Sequence, residues 1–262
     1  TILHKASNEN KLDVVYYILL TKEKIMEDCF KECKKMEKIV IPSSIKSIGN
    51  NAFRECSSLK RILIPPSVTS IGDDCFNQCS SLTKIKIPPS VSSIGDNTFY
   101  ECTSLTEISI PSSVTTIGDN AFSGCSSLIR IALPSSITSI GQDAFSCCTS
   151  LLKISIPPSV NSIEDYCFNG CSSLVQVIIP ESVTSIGCNS FYCCSSLTRI
   201  DIPSSVTEIG KNAFSQCSSL IKITIPSSVK LIEEGTFSHC TSLTSIEIPS
   251  SVTSIGEKAF NG

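Results

Sequence analysis

Every phenylalanine in this chain stands 23 residues from the next. All eleven obey the rule, from Phe30 through Phe53 and Phe76 to Phe260, and none is left over. Ten of the 16 cysteines follow three residues behind, from Cys33 to Cys240, and ten of the 13 prolines keep the same step from Pro42 to Pro249. Ten isoleucines repeat from Ile48 to Ile255, and glycine follows eight of them, Glu164 and Glu233 being the exceptions. The unit reads Phe-x-x-Cys-Ser-Ser-Leu-x-x-Ile-x-Ile-Pro-Ser-Ser-Val-x-x-Ile-Gly-x-x-Ala, and ten copies run from Phe30 to Ala259 without an insertion. A fixed period of this length marks a stacked repeat architecture.

A unit this short cannot bury its own apolar face, so each must lie on its neighbours. Leu59-Lys60-Arg61-Ile62-Leu63-Ile64 ends in strand-like alternation, and Pro65, which has no N–H for a ladder, closes it. Val68 and Ile71 resume an apolar spacing of three, and Gly72 is expected to let the chain turn. The expected product is an α/β-type repeat solenoid, mainly β, coiled right-handed. Leu59, Ile62, Ile64, Val68, Ile71, Phe76 and Cys79 point inward. Equivalent residues stack at about 4.8 Å, so ten rungs give a rod or arc of about 50 Å.

The Leu-x-x-Ile-x-Ile core is similar to the strand of leucine-rich repeats, and the whole unit resembles the BspA-type leucine-rich repeat. That resemblance covers residues 25–262 and implies that Phe and Cys fill the convex side. Residues 1–24 fall outside the period. Thr1-Ile2-Leu3-His4-Lys5-Ala6 resembles the Thr-Pro-Leu-His-x-Ala opening of an ankyrin repeat, with Ile2 in place of the proline, and the stretch from Leu12 to Leu20 is similar to its second helix. The expected organisation is a helical N-terminal cap over 1–24 and a solenoid of ten full units plus a partial end over 25–262. No start methionine, basic n-region or apolar h-region opens the chain, which predicts a piece of a longer protein.

Cysteine invites disulfide or metal readings. The ten ladder cysteines are locked beside phenylalanine, where a small apolar residue suits a core. Their Cβ vectors on neighbouring rungs run parallel, which does not suit a disulfide. Cys29, Cys75 and Cys167 precede phenylalanine where other units carry Ala, Thr or Ser. Cys147 and Cys193 lie two rungs apart, about 10 Å by the strand spacing and too far to bridge. Cys188 replaces a loop aspartate. Reduced structural thiols are expected, which favours a reducing or anaerobic setting.

Only His4 and His239 exist, and no Cys-x-x-Cys pair occurs, so neither metal nor cofactor is expected. The many serines lie in Cys-Ser-Ser and Pro-Ser-Ser corners, where hydroxyls satisfy turn backbone, and no catalytic motif surrounds them. The acid pairs Asp73-Asp74, Glu164-Asp165 and Glu233-Glu234 read as a solvated edge. No enzyme is expected. A net charge of −3, from 21 Lys+Arg against 24 Asp+Glu, argues against a general nucleic-acid binder. No run approaches 18 apolar residues, so no membrane-spanning helix is expected.

Function then falls to the positions the repeat leaves free. Alternation turns the third and fifth positions of Leu-x-x-Ile-x-Ile outward. The third reads Lys38, Arg61, Lys84, Glu107, Arg130, Lys153, Gln176, Arg199, Lys222 and Ser245, so seven of ten are basic. The fifth, from Val40 and Leu63 to Glu247, is mixed. Like charges side by side on a sheet repel, so the basic stripe on the concave sheet is a candidate surface for an acidic protein partner. The competing reading is a solubility device that blocks sheet-to-sheet aggregation. The last rung presents Leu243, Ile246, Ile248, Val252, Ile255 and Phe260 with no unit to cover them, which predicts a homo-oligomer through that end. The BspA resemblance implies a surface antigen that binds host or extracellular-matrix proteins in cell adhesion, at the cell surface or secreted. The alternative is an intracellular, cytoplasmic scaffold with a protein partner.

Overall fold

Each 23-residue unit folds into one rung carrying two short strands, and equivalent strands pair in parallel from rung to rung. The computed structural model describes residues 5–7, 9 and 12–262. One ladder consists of strands such as Lys38–Val40, Arg61–Leu63, Lys84–Lys86 and Glu107–Ser109, which pair in that order as a four-stranded sheet. Their burial alternates exposed, buried, exposed, so the central Ile39, Ile62, Ile85 and Ile108 face the core. The second ladder runs along a corner through two-residue strands, from Lys24–Ile25 and Ser47–Ile48 to Ser254–Ile255. The molecule is a mainly β solenoid of about ten such turns, as the 23-residue period requires.

The phenylalanines form one stack. All ten neighbouring pairs have ring centroids 5.1–5.7 Å apart and planes within 14° of parallel. Beside them the ladder cysteines do more than fill space. From Cys56 to Cys240 each thiol donates a hydrogen bond of 3.0–3.2 Å to the carbonyl of the phenylalanine one rung back. The Phe53 carbonyl, for example, accepts from the Cys56 N–H at 3.1 Å and from the Cys79 thiol at 3.1 Å. An alanine would fit the space but leave that lone pair unused.

The glycines that follow the repeating isoleucine are needed for a reason other than turning, which corrects the expectation for Gly72. None of this column has positive φ. A Cβ on Gly49 would come within 2.6 Å of the Glu27 backbone nitrogen, and one on Gly187 within 2.6 Å of the Asp165 nitrogen. At these glycines the rungs approach too closely for a side chain unless the backbone shifts. Where Glu164 and Glu233 occupy this column, the corner ladder is interrupted on the N-terminal side: Ser162–Ile163 and Leu231–Ile232 each begin a new sheet. A third interruption, between Ser70–Ile71 and Ser93–Ile94, has no such substitution beside it. The turning is done by left-handed residues two places later, Asn51, Asp74, Asn97, Asn120, Asp143, Asn189 and Asn212, residue types that tolerate this conformation.

At the N-terminal side the helix Leu12–Leu20 buries Val15 and Leu19 in the solenoid core, and the Leu19 carbonyl accepts a hydrogen bond from the Ser44 hydroxyl at 3.1 Å. The ankyrin-like opening Thr1–His4 lies outside the described residues. Among the described residues, no helix is long and apolar enough to cross a membrane.

Candidate functional site

Strand alternation and register together build the candidate surface. Ile39, Ile62 and their equivalents point inward, which turns their neighbours outward, and parallel pairing then sets equivalent side chains in columns. Lys38 faces Arg61, Arg61 faces Lys84, Lys84 faces Glu107, Arg130 bridges to Lys153, Lys153 faces Gln176, and Arg199 faces Lys222. All seven basic residues of the stripe are exposed.

They are not electrically equivalent. The Lys84 ammonium contacts the Glu107 carboxylate at 2.7 Å, and this hydrogen bond with its charge holds the Glu107 carboxyl below the usual carboxylate range. The Arg199 guanidinium grips Asp201 on its own strand through contacts of 2.9–3.2 Å, which raises the guanidinium pKa. Among the described residues, Lys38, Arg61, Arg130, Lys153 and Lys222 form no such ion pair. Neighbouring Arg130 and Lys153 therefore put two like charges side by side with no contact ion pair of their own, although the Arg130 charge acts on the Glu107 carboxylate from beyond contact distance. Over the N-terminal strands a shallow open groove of about 560 Å³ is lined by Arg61, Leu63, Lys84, Lys86, Glu107 and Ser109.

Elsewhere many polar side chains are tied into the fold. Ser67, Ser113, Ser136, Ser182 and Ser205 donate to backbone carbonyls one rung back at 2.6–2.8 Å. Asp73, Asp96 and Asp119 each accept the backbone N–H of the next rung. Among the described residues, no group of three or more His, Cys, Asp or Glu side chains is placed to hold a metal ion. Cys147 is exposed, and Cys188 and Cys193 partly so, while the other thirteen cysteines are buried. Burial pushes the Cys79 and Cys125 thiols up to about 12.

The family described as the BspA type leucine-rich repeat region (6 copies) matches residues 23–152 and again 138–262. The chain belongs to this family. Its fold is shared by solved structures with modest identity. A leucine-rich repeat protein of T. pallidum is 28% identical over 75% of this chain and 82% of its own, with a TM-score of 0.60. A leucine rich cell surface protein from Faecalibacterium prausnitzii is 32% identical over 86% of this chain and 76% of its own, with a TM-score of 0.53. A leucine-rich repeat protein from Bacteroides ovatus is 28% identical over 86% and 84%, with a TM-score of 0.50. None of the curated proteins matches the chain. It is thus a leucine-rich repeat protein related to bacterial surface proteins of the same repeat class, consistent with an interaction module.

On this BspA-type face two features escape a reading that treats every rung alike. The first is a longer period. From Arg61 the stripe reads Arg, Lys, Glu107, then Arg130, Lys153, Gln176, then Arg199, Lys222, Ser245: an Arg–Lys pair every third rung. The sheet breaks at the same beat, after Glu107–Ser109 and after Gln176–Ile178. The second is the position preceding the stripe, which is also exposed. It carries Ile129, Leu152 and Val175 on three successive rungs, 42%, 44% and 42% exposed, where Thr83, Thr106 and Thr198 stand on others. A comparison of rungs in threes, column by column, reveals both in the sequence.

Proposed function

We propose that the exposed face of the sheet is a docking surface for an acidic protein, and that this chain works at the cell surface or in a secreted form, binding host or matrix proteins in adhesion. The observation that carries the reading is the paired, largely uncompensated basic column from Lys38 to Lys222, held on an acidic molecule. Five charges with no partner of their own repel one another and gain when a carboxylate arrives. The similar Faecalibacterium prausnitzii protein is a cell surface protein, which supports the location. The sixteen unbridged thiols favour a cytoplasmic scaffold instead, although burial of thirteen weakens that argument. A signal peptide or anchor in the full-length protein decides between the two.

Replacing Arg61, Arg130 and Lys153 by serine tests the face. Binding of a fluorescent poly-glutamate peptide is expected to weaken about tenfold at 50 mM salt, and its salt dependence to flatten, because the lost charges are solvent-exposed. Affinity unchanged at every ionic strength means the stripe only keeps the sheet soluble.

A further inference from the structure

The three Arg–Lys steps of the face share one geometry and differ in their surroundings. The first has Lys84 tied to Glu107, and the third has Arg199 tied to Asp201. Only in the middle step, Arg130 and Lys153, are both charges without an ion pair among the described residues. Only this step is flanked by an unbroken aliphatic ridge, since Ile129, Leu152 and Val175 immediately precede Arg130, Lys153 and Gln176. Backbone bonds from the Leu152 N–H to the Ile129 carbonyl, and from the Val175 N–H to the Leu152 carbonyl, keep the ridge continuous. The corresponding positions elsewhere carry threonine or charge, apart from Ile221, which has threonine on either side.

We propose that this middle step is the primary contact of the face, and that its occupant is an extended peptide segment in which acidic and branched aliphatic residues alternate. This deepens the acidic-partner reading and rests on it. The argument is complementarity of two adjacent columns. The ridge and the basic pair are neighbours in sequence and run side by side along the solenoid axis. An extended segment lying over the seam sends successive side chains to opposite sides. One edge then meets Ile129, Leu152 and Val175, and the other meets Arg130 and Lys153. From Ile129 to Val175 is about 10 Å by the strand spacing, so three to four extended residues span it. Aliphatic contact excludes water beside the charges and strengthens their attraction for the partner's carboxylates. The outer two steps, already satisfied in part, contribute long-range attraction to the same acidic chain.

Two labelled octapeptides of equal charge test this, one alternating Glu with Leu and the other Glu with Ser. Wild-type protein is expected to bind the Glu/Leu peptide at least fivefold more tightly. The variant I129T/L152T/V175T, which places on these rungs the residue found at Thr83, Thr106 and Thr198, should fold normally and lose that preference. Arg130→Ser with Lys153→Ser should weaken both peptides about tenfold, and Arg199→Ser with Lys222→Ser less than threefold. A threonine variant that keeps the preference, or a wild type that shows none, overturns the ridge while leaving the acidic-partner reading intact. If neither peptide responds to salt or to any basic substitution, the basic face itself is not the site. A heparin oligosaccharide that displaces both peptides, equally well from wild type and threonine variant, assigns the face to a polysaccharide and also overturns the proposal.

Discussion

Phe145 has no exposed surface, and its ring lies 5.4 Å from that of Phe122 and 5.6 Å from that of Phe168. Phe145→Ala removes two stacking contacts and opens a cavity that backbone bonds to the adjacent rungs prevent from closing. It should cost about 3–5 kcal/mol by urea denaturation, and a loss under about 1 kcal/mol contradicts the stack as the central support of the coil. Tyr166 is the opposite case. It sits at φ 57°, in a column where eight of the ten other rungs place Asn or Asp, and Gly235 and Lys258 fill the remaining two. A bulky side chain is strained there, so Tyr166→Asn should stabilise the fold by about 1 kcal/mol, and a lower urea midpoint refutes the strain. The inward set from Leu59 to Cys79 is legible from periodicity, because a residue invariant through ten rungs must meet its own copies. What each atom does is less legible. The cysteine column reads as small and apolar, yet its thiols donate to phenylalanine carbonyls, and period alone does not distinguish a packed sulfur from a donor.

At the scale of the rung, two ladders of short strands hold the coil, and the thiol bonds add a third set of links between rungs. Burial of the thiols, in the ladder and in the column before phenylalanine, also makes stability sensitive to alkali. Burial holds Cys75, Cys102, Cys148, Cys167, Cys194 and Cys217 well above the ordinary thiol value of 9.0, with Cys79 and Cys125 up to about 12. Above pH 9 the unfolded chain gives up these protons and the folded chain keeps them. The folded state then binds more protons than the unfolded one, and stability falls as pH rises. The urea midpoint should be flat below about pH 8 and fall above pH 9, each buried thiol contributing about 1.4 kcal/mol per pH unit. A midpoint unchanged to pH 10 refutes this. In native protein at neutral pH only Cys147, Cys188 and Cys193 should react rapidly with a thiol reagent. The glycine column shows where sequence reading falls short at this scale. Gly72 reads as a turn residue along the chain, but its constraint comes from the rung 23 residues earlier, a contact that exists only once the coil is closed.

Across the whole molecule the two ends are unequal. Helix Leu12–Leu20 leans on the first rung through Val15 and Leu19, so apolar surface there is covered. Within residues 12–262 the rung that holds Ile255 and Phe260 is more open: Ile255 is 50% exposed, Ile248 42% and Phe260 39%, with Leu243, Ile246 and Val252 only partly buried. Equivalent residues one rung back, such as Ile232 and Phe237, are buried at 2%. The difference is what one further layer supplies, whether a following segment in a longer protein or a second molecule. In the isolated chain only the second is available. Unpaired strand edges beside the apolar residues favour an arrangement in which the same patch covers itself about a two-fold axis. Because this contact is apolar, it should strengthen as salt is raised, whereas binding to the basic face should weaken. Light scattering on residues 1–262 across a concentration series is expected to show a monomer–dimer equilibrium, shifted toward dimer by sodium sulfate. Ile255→Glu with Phe260→Ser should restore the monomer without loss of binding at the Arg130–Lys153 step, some five rungs away. A wild-type chain that remains monomeric at tens of micromolar, with and without sulfate, shows that a half-exposed last rung is tolerated in water and that the end is no interface.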